Sequence, residues 1–182
     1  MSDSISTLFE LIAKREHRNA PSLGDANLDA WVDKDLFRAA EVPFFQLCYP
    51  IHGFEFGKYF VVPAADLQEH TLKLEPGCEV YNLCCVTFGS LPNGDALTCH
   101  FSTGNVLVIP HGRIYNKEIH LGWKEGVGMP DPLPLSVPNL YQIASERYDS
   151  VEAFLSQYLI ESKQYRSLGH STAKDLKSRF AN

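Results

Sequence analysis

The sequence predicts an α+β fold: a single antiparallel sheet of about five to six strands, flanked by helices lying on one side. Three observations predict it. Apolar residues recur at helical spacing near both ends of the chain. The middle third instead carries short β-branched and aromatic runs. Tight turn signals separate these runs, and consecutive strands joined by tight turns pair antiparallel.

Taken in order, Thr7-Leu8-Phe9-Glu10 has the spacing of a capping box, and Ile5, Leu8, Leu11 and Ile12 share a face. A first helix is expected near 5–16. NAPSLGDAN is a break. Leu28, Trp31, Val32 and Leu36 mark a second helical face, with Trp31 as a core anchor, and this helix should stop before Pro43. A strand follows near 58–63. EVYNLCCVTF, residues 79–88, reads as a central strand buried on both sides, because its apolar run is almost unbroken. Cys84 and Cys85 would then point to opposite faces.

Asn93-Gly94 is a strong turn signal, and strands are expected at about 95–101 and 105–109, with a short one from 114 to 121. In the simplest register Phe101 faces Val106, His100 faces Leu107 and Ala96 faces His111. Residues 122–140 hold three Gly and four Pro and read as a long loop of the kind that is functional or mobile. A closing helix opens at Tyr148-Asp149-Ser150, with Asp149 three residues before Glu152 at capping spacing. Residues 1–160 are expected to form one domain and 161–182 a basic tail, with a short helix capped by Thr172.

With 182 residues, 45% of them hydrophobic, the chain can bury a core without covalent staples. Its five Cys include no CxxC pair and read as reduced, mostly buried thiols, which suits the cytoplasm. The N-terminus lacks the pattern of a secretion signal, and no apolar run reaches the length of a membrane span. The formal net charge is −6. Five of the 16 bases but only two of the 22 acids fall in 161–182, which leaves 11 bases against 20 acids elsewhere, a balance of −9. Such a body argues against sequence-independent nucleic-acid binding and fits a basic protein partner.

No catalytic motif accompanies this charge. His100 and His111 would share a face but stand four rungs apart, roughly 14 Å at about 3.4 Å per residue, too far to ligate one metal. Asp95 follows the Asn93-Gly94 turn, where a carboxylate takes backbone hydrogen bonds. A general base at Asp95, acting with His100 and His111 in one pocket, is the competing reading. Gly89-Ser90-Leu91-Pro92 lacks nucleophile-elbow spacing, and the glycines at 122, 126 and 128 precede no Lys-Ser/Thr. The expectation is therefore a protein without catalytic residues, metal or cofactor.

One stretch carries a resemblance. FGSLPNGDALTCHFSTGNVLVIPHG is similar to the central hairpin of the SUKH superfamily, which includes fungal cell-wall assembly regulators and bacterial immunity proteins. Gly94-Asp95 and His111 occupy the matching places. VPFFQLCYPIHGFEFGKYFVVPAADL and IASERYDSVEAFLSQYL resemble the family's first strand region and closing helix, so that the likeness spans about residues 28–160. The extra N-terminal residues, the Pro-rich loop and the basic tail depart from it. The resemblance implies a SUKH-like, non-enzymatic module that binds another protein, among bacterial members a cognate toxin. An intracellular scaffold of the same fold is the alternative. Glu75, Glu79 and Asp95, acidic positions flanking the sheet, are the candidate partner contacts.

Overall fold

Three strands in the middle of the chain set the architecture. A computed structural model describes residues 2–33, 43–122 and 128–161. Helix α1 (Ser2–Arg15) leads to β1 (Leu23–Gly24), a 3-10 turn at Leu28–Ala30, α2 (Pro43–Leu47) and β2 (Tyr49–Pro50). The hairpin β3 (Phe54–Phe56) and β4 (Tyr59–Val61) precedes α3 (Leu67–Leu72) and α4 (Gly77–Val80). Then come β5 (Cys85–Ser90), β6 (Ala96–His100) and β7 (Asn105–Ile109). The short strands β8 (Ile114–Tyr115), β9 (Glu118–Ile119) and β10 (Leu133–Pro134) lead to α5 (Val137–Ile143), β11 (Glu146–Tyr148) and α6, residues 151–161.

The main sheet has six strands in the order β11-β7-β6-β5-β4-β3, each pair antiparallel. The fold is thus α+β with an antiparallel sheet of the expected strand number. The pairs β1-β2 and β10-β9-β8 form two small separate sheets.

Every residue of β6, and all of β5 but Ser90, is buried. Alternation sends Val86, Leu97, Cys99, Val106 and Val108 to one face, where they join Phe9 and Ile12 of α1, Phe44 and Phe45 of α2 and Phe154 of α6. Cys85, Ala96, Leu107 and Ile109 go to the other, against Val80 of α4, Ile114 and Ile119 of the small sheet and Leu140 of α5. Helices therefore cover both faces, not one as expected. A sheet apolar on both sides leaves no face that water can cover cheaply.

The first face is aromatic. Phe44 sits 4.9 Å from Phe45 and 5.5 Å from Phe88 between ring centroids, and Phe45 stacks on Tyr49 at 5.6 Å. The Tyr49 hydroxyl donates to the Val62 carbonyl at 2.7 Å, so this buried phenol is satisfied. A register shift between Thr87 and Gly89 admits Phe88 to this layer beside Val86.

Several elements differ from expectation, each for a local reason. The first helix begins at Ser2, and Thr7 lies inside it, its hydroxyl donating back to Asp3 O at 2.7 Å instead of capping. Of the expected second helix, residues 28–33 are described: Leu28–Ala30 form a single 3-10 turn and 31–33 are not helical, while 34–42 lie outside the described residues. Trp31 is half-buried against the first core. Pro43, expected as a stop, opens α2, a first-turn position where its missing N–H costs nothing. Residues 79–83 are helical rather than strand. Their apolar run fills the second core through Val80 and Leu83, and Cys84 (φ 59°) turns the chain into β5, so Cys85 alone of the pair is on a strand.

In the central hairpin His100 pairs with Asn105 and Ala96 with Ile109, two residues from the expected register. Phe101 is drawn into the turn and buried 5.2 Å from Phe45, and Gly104 takes φ 76° to close it. A two-residue shift preserves the faces. The single strand expected at 114–121 is the hairpin β8-β9, turned at Asn116 and Lys117, both at positive φ. The long loop expected at 122–140 holds β10 and the first half of α5; 123–127 lie outside the described residues. Ser150, not Asp149, caps α6, accepting from Ala153 N at 3.0 Å. The tail 162–182 lies outside the described residues.

Replacing Phe88 by Ala should destabilise the protein by about 3–5 kcal/mol, since its ring is fully buried against those of Phe44 and Phe45. Phe60→Ala on β4, 38% exposed, should cost less than about 1 kcal/mol. Urea unfolding of both variants checks the contrast.

Candidate functional site

The three acidic candidates occupy two places. Glu75 is exposed in the turn between α3 and α4. Glu79, on α4, is half-buried and accepts the backbone N–H of Lys117 at 3.2 Å, tying α4 to the β8-β9 turn. Asp95 lies at the β5-β6 turn with 13% of its side chain exposed. Its Oδ1 accepts His111 N at 3.3 Å and stands 3.3 Å from His111 Nδ1, and its Oδ2 accepts from Asn93 Nδ2 at 2.9 Å. Glu75 and Glu79 share one segment, whereas Asp95 is held at the end of a hairpin. Glu79 and Asp95 spend carboxylate oxygens on the fold, and Glu75 presents its carboxylate outward.

The Asp95–His111 pair puts one acid and one imidazole together, as a catalytic reading would require. The third member is elsewhere. His100 closes the far end of β6, roughly 17 Å along the strand from Asp95 at about 3.4 Å per residue. There it is buried, with Nδ1 2.9 Å from Thr103 Oγ1 and 3.1 Å from Tyr141 OH, while the two hydroxyls are 3.0 Å apart. This triangle joins the β6-β7 turn to α5. Burial pulls the His100 pKa below its usual range and pushes that of Tyr141 up.

Cysteine chemistry fares no better on the same strands. Cys85 lies opposite His100 across the ladder. Burial pushes its thiol far up, and that of Cys99 to about 12, so neither supplies a thiolate near neutrality. All five cysteines are free, and Cys48, Cys85 and Cys99 are buried. Among the described residues no group of three or more His, Cys, Asp or Glu side chains could hold a metal ion. No described helix is long and apolar enough to cross a membrane.

A denser cluster escaped the sequence. Glu146 on β11 accepts at Oε2 from Tyr59 OH at 2.6 Å and from Tyr148 OH at 2.5 Å, and Lys58 Nζ contacts its Oε1. Burial alone would raise the Glu146 pKa; the bonds from Lys58, Tyr148 and Tyr59 outweigh it and hold the carboxyl below its usual range. Burial and then the bond to Glu146 push both phenols well above theirs. Around them Tyr59 meets Phe154 at 4.9 Å and Phe154 meets Tyr148 at 5.1 Å. The one local signal was the Glu-Arg-Tyr spacing, which puts Glu146 and Tyr148 on one face of a strand. Nothing near them in sequence announces Lys58 and Tyr59.

Comparison with protein-family models, with curated proteins and with solved structures returns no match for this chain.

Two outcomes follow from these contacts. Glu79→Ala should cost about 0.5–1.5 kcal/mol by freeing the Lys117 turn, while Glu75→Ala should stay within about 0.5 kcal/mol of wild type in urea unfolding. His100 binds its proton more weakly folded than unfolded. Stability should therefore fall as pH drops through the ordinary histidine range toward the depressed folded value. His100→Gln should flatten that part of a Tm-against-pH curve.

Proposed function

We propose that this chain works by covering another protein and breaks no bonds itself. Within that class we favour a bacterial immunity protein that binds and neutralises a cognate toxin in the cytoplasm, the role implied by the resemblance to the SUKH superfamily. One observation carries the reading: outside 161–182 the chain holds 20 acids against 11 bases. A toxin that acts on nucleic acid presents a basic surface, and opposite charge speeds association and selects the partner. The contacts are proposed to include Glu75, with its outward carboxylate, its neighbour Glu79, and Asp95 at the end of the hairpin. No cofactor, metal, nucleic acid or membrane enters this reading.

Two features support binding over turnover. The polar groups that look most like catalytic parts are committed to the fold: Asp95 to the His111 turn, His100 to Thr103 and Tyr141, and Glu146 to three donors. The residues named for a small enzyme, Asp95, His100 and His111, lie at opposite ends of β6. An intracellular scaffold or regulator is the second reading, favoured by the five bases of 161–182, which give the chain a separate positive segment.

Co-expression with the product of the neighbouring reading frame tests the first reading. The expected result is a tight one-to-one complex, protection of the cells, and an association rate that falls at least tenfold between 50 and 500 mM salt, on the scale of electrostatic steering. Glu75→Lys should lower that rate further at low salt. Absence of both complex and protection would discard the immunity role. Loss of a partner on deleting 161–182 would favour the scaffold.

A further inference from the structure

The cluster on Glu146 joins parts of the main sheet that are distant in strand order. β11 is one edge of the sheet, and the β3-β4 hairpin forms the other end. Glu146 nevertheless receives Lys58, from the turn of that hairpin, and Tyr59, from β4. The sheet is therefore curled until its ends meet across α6, whose Phe154 packs between Tyr59 and Tyr148. Gly57 permits the approach: at φ 54°, a Cβ there would stand 2.6 Å from the Tyr158 ring.

β11 itself is weakly held. It has three residues and, among the described residues, pairs only with β7. A short edge strand belongs to the low-stability end of a fold. We propose that Glu146 is the catch of a conformational latch: engaged, its carboxylate keeps the sheet curled and β11 closed; discharged, it lets β11 part from β7.

Among the described residues the groups facing the catch are few. Lys58 and Tyr59 reach it from the β3-β4 turn and β4. Tyr148 lies on its own strand, and Arg147 points to the opposite face, where its charge acts on Tyr141. From α6, the charge of Glu161 acts on Tyr148, and Tyr158 packs 6.3 Å from Tyr59 while donating to Glu16. β7, Asn105–Ile109, has no ionisable side chain. Among the described residues Lys58 is the positive charge that touches the carboxylate, and protonating Glu146 removes both that attraction and an acceptor site used by the phenols. The folded carboxyl titrates below its usual range. Closure is therefore complete above that range and is lost as pH falls through the depressed value.

Amide exchange on the whole chain tests the latch, read as protection factors at steps from pH 6 down to pH 3. In the wild type, protection at residues 146–148 should fall at least tenfold while that of 97–99 in β6 is kept. In Glu146→Gln, protection at 146–148 should already be low at pH 6 and change little with pH. Should that variant fail to fold, Lys58→Met keeps the carboxylate and both phenols, and its loss of protection should come at a higher pH than in the wild type. Unchanged protection at 146–148 in the wild type would overturn the latch, as would a uniform loss across β5–β7. So would an equal fall in Glu146→Gln, or a Lys58→Met midpoint that stays in place.

Discussion

The burial of β5, β6 and β7 on both faces is the constraint from which the rest of the fold follows. A half-buried sheet needs one covering layer; this one needs two, and the chain supplies them from different places. The first face takes α1, α2 and α6 and is filled largely with aromatic rings. The second takes α4, α5 and the small sheet of β8 to β10, with aliphatic side chains. Short elements that would be marginal alone are held because each closes a gap over one of these faces.

The second face also carries polar groups, and these are paired within the fold. Thr71 donates to the Thr87 carbonyl at 3.2 Å, Thr87 and Thr98 face each other at 3.2 Å, and His100 is engaged by Thr103 and Tyr141. Buried polar atoms that find partners in this way stabilise one arrangement, and leaving any of them unpaired is costly. A reactive site works differently, since it keeps a group poised for a substrate. The Thr71, Thr87, Thr98 and His100 groups are occupied by one another and by Thr103 and Tyr141.

Much of this was legible in the sequence, and the failures have physical causes. Antiparallel β5-β6-β7 could be read because Asn93-Gly94 and Gly104 mark its turns and β-branched and apolar runs fill its strands. The structural use of Asp95 was also readable, since its bonds stay within a turn and its neighbour. Residues 79–83 misled because a continuous apolar run suits a buried helical turn as well as a strand. The hairpin at Asn116-Lys117 lacked the glycine that advertises such turns. The covering of the second face was hidden in a Pro- and Gly-rich stretch that looks like loop, although Leu133, Leu135 and Leu140 supply its apolar contacts. The Glu146 cluster had least sequence signal, because its members come together only through the curl of the sheet.

The meeting of the first and last described helices has a consequence for how the protein is made. Arg15 of α1 donates to the Leu159 carbonyl of α6 at 2.6 Å, a contact between residues 144 positions apart, and Tyr158 donates to Glu16. Contacts so distant along the chain close slowly, and a chain emerges from the ribosome N-terminus first. Helix α1 therefore waits for α6, nearly 150 residues later, before its layer is complete. Until then its apolar stripe of Ile5, Phe9 and Ile12 lacks its full cover, so the nascent chain should be at its most chaperone-dependent before α6 has emerged.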